Sequence, residues 1–402
     1  MAVRTIDLLE HEQLVVLRAP ARSAMRDPNS GPLAMQAAAP GDIKIDVESR
    51  VGKADLAALA GDPTVVGFCP SMPMKLVEPV EDPVRVKPKG AGVTWGIGAV
   101  GASTSPYDGS GVTVAVLDTG IDSAHSAFRG VELVTRDFTG GGSAADKHGH
   151  GTHCAGTIFG RNIDGLRIGV ATGVSRAVIG KVLGPTGGGS EMLAQAILWA
   201  RDNGAQVISM SLGFDFPGYV HDLVDRGGLS IEVATSMALQ DYTANVRLFE
   251  KLSEFMNAGM GQPVVVAASG NESGRSATPP FEINVAPPAA APGVISVGAL
   301  GQGFGGYAVA PFSNTRPTVS APGVGVISAA LGGGTVPMSG TSMATPHTAG
   351  VAALWAQKLA AQGQLSALML QSKLIGEATL AGVASGFDSL DIGAGLVRAP
   401  QV

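Results

Sequence analysis

The sequence predicts an α/β protein built on a mostly parallel, buried sheet with helices on both faces, preceded by a small N-terminal α+β domain. Three observations predict it. Nearly unbroken apolar runs recur at Val112–Leu117, Val178–Leu183, Val207–Met210, Val264–Ala268 and Val294–Val297, the pattern of strands covered on both faces. Helical stretches lie between them, clearest at Ser190–Asp202, where Leu193, Ala196, Ile197 and Ala200 share one face. The composition agrees: of 402 residues 57 are glycine and 15% are charged, against the roughly 25% charged of an average domain. Few charges and many glycines suit buried strands and tight turns, not a disordered chain.

In chain order, residues 1–78 read as a separate unit. Gln13–Arg18 is a short apolar run, followed by a loop rich in Ala, Pro and Ser up to Pro40. Ile43, Ile45 and Val47 alternate with Lys44, Asp46 and Glu48, the period of a half-buried strand. Lys53–Ala60 has helical composition, Asp62-Pro63 turns the chain, and Val65–Cys69 supplies another strand. Prolines at 70, 73, 79, 83 and 88 read as a linker, with 79–90 as the boundary and 91–402 as the α/β domain.

Several classes are excluded. A net charge of −6 offers no basic face to nucleic acid, and no apolar run approaches the roughly 18 residues that span a bilayer. The start, Met-Ala-Val-Arg-Thr-Ile-Asp-Leu-Leu-Glu, is broken by charge and is no conventional secretory signal. The compartment stays open between cytoplasm and a non-classical export route. Two cysteines, Cys69 and Cys154, cannot make a disulfide scaffold. No G-x-G-x-x-G or P-loop opens a helix, which removes a nucleotide-binding reading.

Ligands of such sheets bind beyond the carboxyl ends of the strands, and four candidates fall there. Asp118 follows the run Val112–Leu117. His150 opens His-Gly-Thr-His-Cys-Ala-Gly-Thr, residues 150–157. Asn271 closes Ala267-Ala-Ser-Gly-Asn. Ser342 stands in Gly340-Thr-Ser-Met-Ala-Thr-Pro-His347, at the start of a helix of small residues, with Pro346 expected in its first turn. Unpaired N–H groups and the helix dipole there favour negative charge near its hydroxyl. Taken singly, each has an ordinary use as a turn aspartate, a structural histidine or a capping serine. Together they supply what acyl transfer needs: a nucleophile, its base, an anion to hold the base, and an oxyanion donor. The order Asp, His, Ser without a G-x-S-x-G elbow excludes an α/β-hydrolase.

Asp-Thr-Gly-Ile-Asp at 118–122, the His150 motif and the Ser342 motif resemble, in this order, the three signatures of the subtilisin-like serine proteases. The resemblance covers roughly residues 90–402. It implies a serine endopeptidase working through an acyl-enzyme, in which Asp118 orients His150, His150 is base then acid, and Ser342 is the nucleophile. Asn271 and the Ser342 N–H would form the oxyanion hole. It further implies that Ser211-Leu212-Gly213 pairs with an extended substrate, with Gly187-Gly188-Gly189 as the opposite edge and Ala268 and Gly270 on the other pocket wall. Departures include Phe214 where relatives have a second glycine, which would narrow the subsites. An insertion within 215–261 lies beside the cleft, and His148 stands where relatives carry a small polar residue. No cofactor is required for this chemistry and no metal site is assigned. Structural calcium, common in relatives, stays open, although the usual aspartate is replaced by Ala127; Asn162 and Asp164 read as a polar turn. Cys154 is expected beneath His150, as in some relatives.

Residues 41–78 resemble the end of a subtilisin-type propeptide. This implies an intramolecular inhibitor and folding template that sends its C-terminal segment through the cleft, cleaved within Pro79–Gly90. The expected partners are a polypeptide substrate and the chain's own N-terminal domain, and the protein is expected to be a monomer. An inactive binding scaffold is disfavoured, since it has no need of all four residues.

Overall fold

The computed structural model describes residues 11–19, 43–80, 91–257 and 262–401. The loop up to Pro40 and most of the 79–90 linker lie outside the described residues. Near the N-terminus, β1 (His11–Arg18), β2 (Lys44–Val51) and β3 (Val65–Pro70) form an antiparallel sheet in the order β2-β1-β3, with α1 (Lys53–Gly61) between β2 and β3. Side chains of a strand alternate between faces, and β1 uses both. Leu14 and Val16 pack with Val51 and Leu59 in a small core of their own. Val15 and Leu17, with Cys69, join the core of the larger unit.

The prolines expected to mark a linker behave differently. Pro70 ends β3, and Pro73 begins β4 (Pro73–Leu76), which leaves the small sheet and pairs with the larger unit. A proline is tolerated as the first residue of a strand because no ladder hydrogen bond is lost there.

The larger unit continues with β5 (Gly92–Val93), α2 (Trp95–Ala99), β6 (Thr113–Asp118), β7 (Glu132–Asp137), α3 (His150–Phe159), β8 (Leu166–Arg167), β9 (Arg176–Lys181), β10 (Gly188–Gly189) and α4 (Ser190–Asp202). After β11 (Val207–Met210) and β12 (Leu212–Phe214) come α5 (Phe216–Asp225) and α6 (Ile231–Asn257), then β13 (Val264–Ala268), β14 (Val294–Gly303), β15 (Gly306–Val309) and β16 (Val319–Pro322). The chain closes with β17 (Val326–Ala329), β18 (Thr335–Met338), α7 (Thr341–Ala361), α8 (Ala367–Gly376) and α9 (Ser389–Ile392).

Eight strands make the central sheet, ordered β15-β14-β13-β11-β6-β9-β7 with β16 also on β14. Every pairing is parallel except β14 with β15. Val114, Val116, Ile179 and Val266 face α3 and α7 in one core. Ala115, Leu117, Val178 and Val265 face α4 and α6 in the other. The expected α/β layering is therefore present.

The described part of the 215–261 region, 215–257, holds α5 and α6, joined by Tyr219 Oη donating to Asp241 at 2.7 Å. Asn245 Nδ2 on α6 donates to Pro70 O at 2.8 Å, tying the helix to β3. Phe214 packs on Phe249 of α6, ring centroids 5.9 Å apart, and so anchors α6.

Candidate active site

Asp118 is the last residue of β6, at the carboxyl edge of the sheet. His150 is the first residue of α3, after Gly149 at φ 97°. His150 Nδ1 lies 2.8 Å from Asp118 Oδ1, both groups fully buried. A second contact to Oδ2 measures 3.1 Å. Burial opposes a charge on the imidazole, but the adjoining carboxylate overrides it, so His150 titrates well above its ordinary value. The motif's small residues have a reason. A Cβ on Gly151 would stand 2.2 Å from Gly120 O, so only glycine lets α3 approach the loop after Asp118.

Asp146, which sequence reasoning missed, fixes this approach. Its carboxylate accepts from the N–H groups of His148, Gly149 and Thr152 at 2.9 Å, from Thr152 Oγ1 at 2.6 Å and from Thr119 Oγ1 at 3.0 Å. Burial would raise its pKa, and these bonds lower it on balance. Gly149 is the N-cap, and the legible signal was an aspartate four residues before His150, within reach of the free N–H groups in the first turn of α3.

Ser342 is the second residue of α7. Pro346 is the sixth, inside the helix and not in its first turn as expected. A proline there leaves the carbonyl four residues back without its helical donor. That carbonyl belongs to Ser342, and it accepts instead from Ser211 Oγ at 3.1 Å and Cys154 Sγ at 3.4 Å. The helix break is thus filled by two neighbours that hold the serine backbone.

Asn271 Oδ1 accepts from Thr341 N and Thr341 Oγ1, each at 2.9 Å, which fixes its amide and turns Nδ2 toward the cleft. Gly270, at φ 110°, must be glycine, since a Cβ would fall 2.3 Å from Asn314 Nδ2. Asn314, also missed, braces this turn through Ser269 O, Glu272 and Ser273. Ala268 ends β13 and is buried.

The cleft is filled by the chain itself. β4 lies between β10 and β12, antiparallel to both: Pro73 and Met74 pair with Gly189 and Gly188, while Lys75 and Leu76 pair with Gly213 and Leu212. Gly187, at φ 85°, sits so close that a Cβ would be 2.4 Å from Met74 O. Continuing the register, Val77 N donates to Ser211 O at 3.4 Å and Val80 N to Ser339 O at 2.8 Å. Ser342 Oγ donates to Val77 O at 2.8 Å, and Asn271 Nδ2 to Glu78 O at 2.8 Å. With the serine proton directed to Val77, His150 Nε2 is left without a hydrogen-bond partner among the described residues.

Cys154 Sγ lies 3.8 Å from His150 Nδ1. Asp118, His150 and Cys154 offer ligand atoms all within 4.8 Å of one another. A soft thiolate and imidazole suit a soft metal and not calcium. A mercurial is therefore expected to abolish activity at stoichiometric ratio, Cys154→Ala to be resistant, and Cys69→Ala to remain sensitive, measured as residual peptide hydrolysis. Ala127, which the resemblance sets in place of a calcium-binding aspartate, is buried and its N–H donates to His125 Nδ1 at 3.1 Å. Asp164, at φ 48°, belongs to the turn closed by Ile163 and Leu166.

The sequence profile of the subtilase family matches residues 109–395. Alkaline elastase YaB of Bacillus sp. (strain YaB) is 37% identical over 323 residues, 76% of this chain and 69% of that protein. M-protease of Shouchella clausii (strain KSM-K16) is 35% identical over 286 residues, 69% of this chain and 63% of that protein. Subtilisin Savinase of Lederbergia lenta is 35% identical over 273 residues, 66% of this chain and 85% of that protein. The chain thus spans between 63% and 85% of the length of these three relatives. Matched over most of its length and at this identity, the chain belongs to the subtilase family of serine endopeptidases, which need no cofactor for catalysis.

Proposed function

We propose that the protein cleaves internal peptide bonds of polypeptides through an acyl-enzyme, and that the chain described is its latent form, with the N-terminal unit as intramolecular inhibitor. In this reading Ser342 Oγ attacks the carbonyl carbon and His150 Nε2 takes its proton, later giving it to the leaving amine. Asp118 holds the Nδ1–H tautomer and stabilises the imidazolium. The oxyanion is met by Asn271 Nδ2 and the Ser342 N–H at the start of α7.

One observation carries the reading. A peptide strand lies in the cleft, its Val77 carbonyl hydrogen-bonded to Ser342 Oγ and its Glu78 carbonyl to Asn271 Nδ2. Strand pairing on both sides is how an extended peptide is held by main chain alone. The same contacts account for latency, because the nucleophile's proton is engaged by the strand and not by His150. The register of β4, continued by Val77 N on Ser211 O, supports Val77–Glu78 as the bond cut, just upstream of the 79–90 stretch expected from the sequence; Asn271 Nδ2, on the next carbonyl in this latent state, would pass to Val77 O as the oxyanion forms.

The test is labelling of the purified full chain with a fluorophosphonate probe while its mass is followed in time. Labelling at Ser342 that grows as the N-terminal unit is lost supports the reading. A chain freed of that unit by limited proteolysis that still fails to label overturns it. Asn271→Leu is expected to lower kcat by about 10²–10³ with KM little changed, the loss typical of one oxyanion donor, checked by steady-state kinetics on the freed enzyme.

A further inference from the structure

Beside the cleft lies a cavity of about 500 Å³, lined by Lys147, His148 and Lys181 and by the hydroxyl-bearing Thr119, Thr139 and Ser143. Among the described residues no carboxylate of the larger unit lines it, and the one that does is Glu78, whose Oε2 is 3.8 Å from His148 Nε2. Lys75 also borders the cavity but belongs to β4 and pairs with Asp215 at 3.0 Å.

Lys181 is 8% exposed, and its ammonium has a hydrogen bond to Ala145 O at 2.9 Å. The nearby Asp137 carboxylate is held by Thr139 and Ser143 and offsets part of the Lys181 charge, without itself lining the cavity. A buried ammonium so placed favours an anion in the adjoining space. Strand geometry decides which substrate residue reaches it. Of the bound strand, Lys75, Leu76 and Glu78 line the cavity, and the side chains at 76 and 78 share one face of an extended segment. Val77 lies toward the opposite wall, where a Cβ on Gly213 would be 3.7 Å from Val77 Cγ2.

We propose that this cavity is a subsite for an acidic side chain, and that His148, with Lys147 and Lys181 behind it, makes the enzyme prefer Glu or Asp directly after the bond it cuts. The proposal rests on the reading of the cleft given above, and Glu78 is the chain's own occupant of the subsite.

Two measurements test it. The first involves no catalysis: in full-length Ser342→Ala, amide exchange of residues 74–78 is followed for Glu78→Lys, for His148→Glu and for the pair together. Each single change is expected to lower protection about threefold to fivefold, the worth of a partly exposed ion pair, and the pair to restore it. Glu78→Gln replaces Glu78→Lys if the latter does not fold, with loss of protection in wild type but not in His148→Gln as the expected result. Purely additive losses overturn the proposal.

The second compares kcat/KM of the freed enzyme on peptides spanning the sequence of residues 73–82 with Glu, Gln or Lys at position 78. Glu is expected to exceed Gln about fivefold and Lys by more. His148→Gln with Lys147→Gln should bring the Glu/Gln ratio near one. Equal rates on Glu and Gln peptides in wild type overturn the subsite. Absence of both cleavage and probe labelling overturns the protease reading instead, and the exchange experiment still decides the subsite.

Discussion

Ser342→Ala should lower peptide hydrolysis by about 10⁶ in kcat, the size of nucleophile knock-outs in related triads, and should leave the N-terminal unit attached indefinitely. The substitution removes the Oγ that donates to Val77 O at 2.8 Å. The surrounding frame does not need that atom. The Ser342 carbonyl is held by Ser211 and Cys154, and Asn271 is fixed by Thr341. The variant should therefore fold and melt as the wild type does, while mass spectrometry over days shows one species of full length. Wild-type chain losing its first 77 or so residues under the same conditions, with the variant unchanged, assigns the cut to Ser342. Equal loss from both would assign it to a contaminant.

Asp118→Asn should be the second largest effect, about 10⁴ in kcat, together with a displaced pH profile. His150 must be neutral to accept the serine proton. Its pKa is raised by the Asp118 carboxylate despite complete burial, so wild-type activity should fall away as pH drops through that raised value, leaving an alkaline optimum. The asparagine removes the largest raising influence and leaves the burial, which lowers the pKa and is opposed only by Cys154. The acid limb of kcat/KM should then move to lower pH while the plateau drops. A profile lowered without displacement would mean that Asp118 acts on geometry only.

The strands β6, β9, β11, β13 and β14 were legible because each is buried on both faces and reads as an uninterrupted apolar run. The bounds of α4 were legible from its apolar stripe. Asp118, His150, Asn271 and Ser342 were legible as an ordered set because each stands at a strand's carboxyl end or a helix start, and the fold brings those ends together. β4 was not legible. Pro70 and Pro73 are punctuation by local rules, and what makes 73–76 a strand is the backbone of Gly188 and Gly213 on either side, distant in sequence. Pro346 misled for a related reason. Its position in α7 is tolerated because Ser211 and Cys154, from elsewhere in the chain, bond the carbonyl that it frees. Asp146 carries no motif of its own, only a spacing to the first turn of α3.

The face of β1 that presents Val15 and Leu17, together with Cys69, Met72 and Met74, is continuous with the core around Leu193, Phe249 and Leu252. Hydrolysis of one bond at residue 77 would alter none of these contacts. It would change molecularity: a tethered unit, held at an effective concentration on the order of millimolar, becomes a ligand that can be diluted away. Activation would then run on two clocks, one set by chemistry at Ser342 and one by dissociation, the second lengthening with protein concentration and shortening whenever a neighbouring active molecule digests the departing fragment.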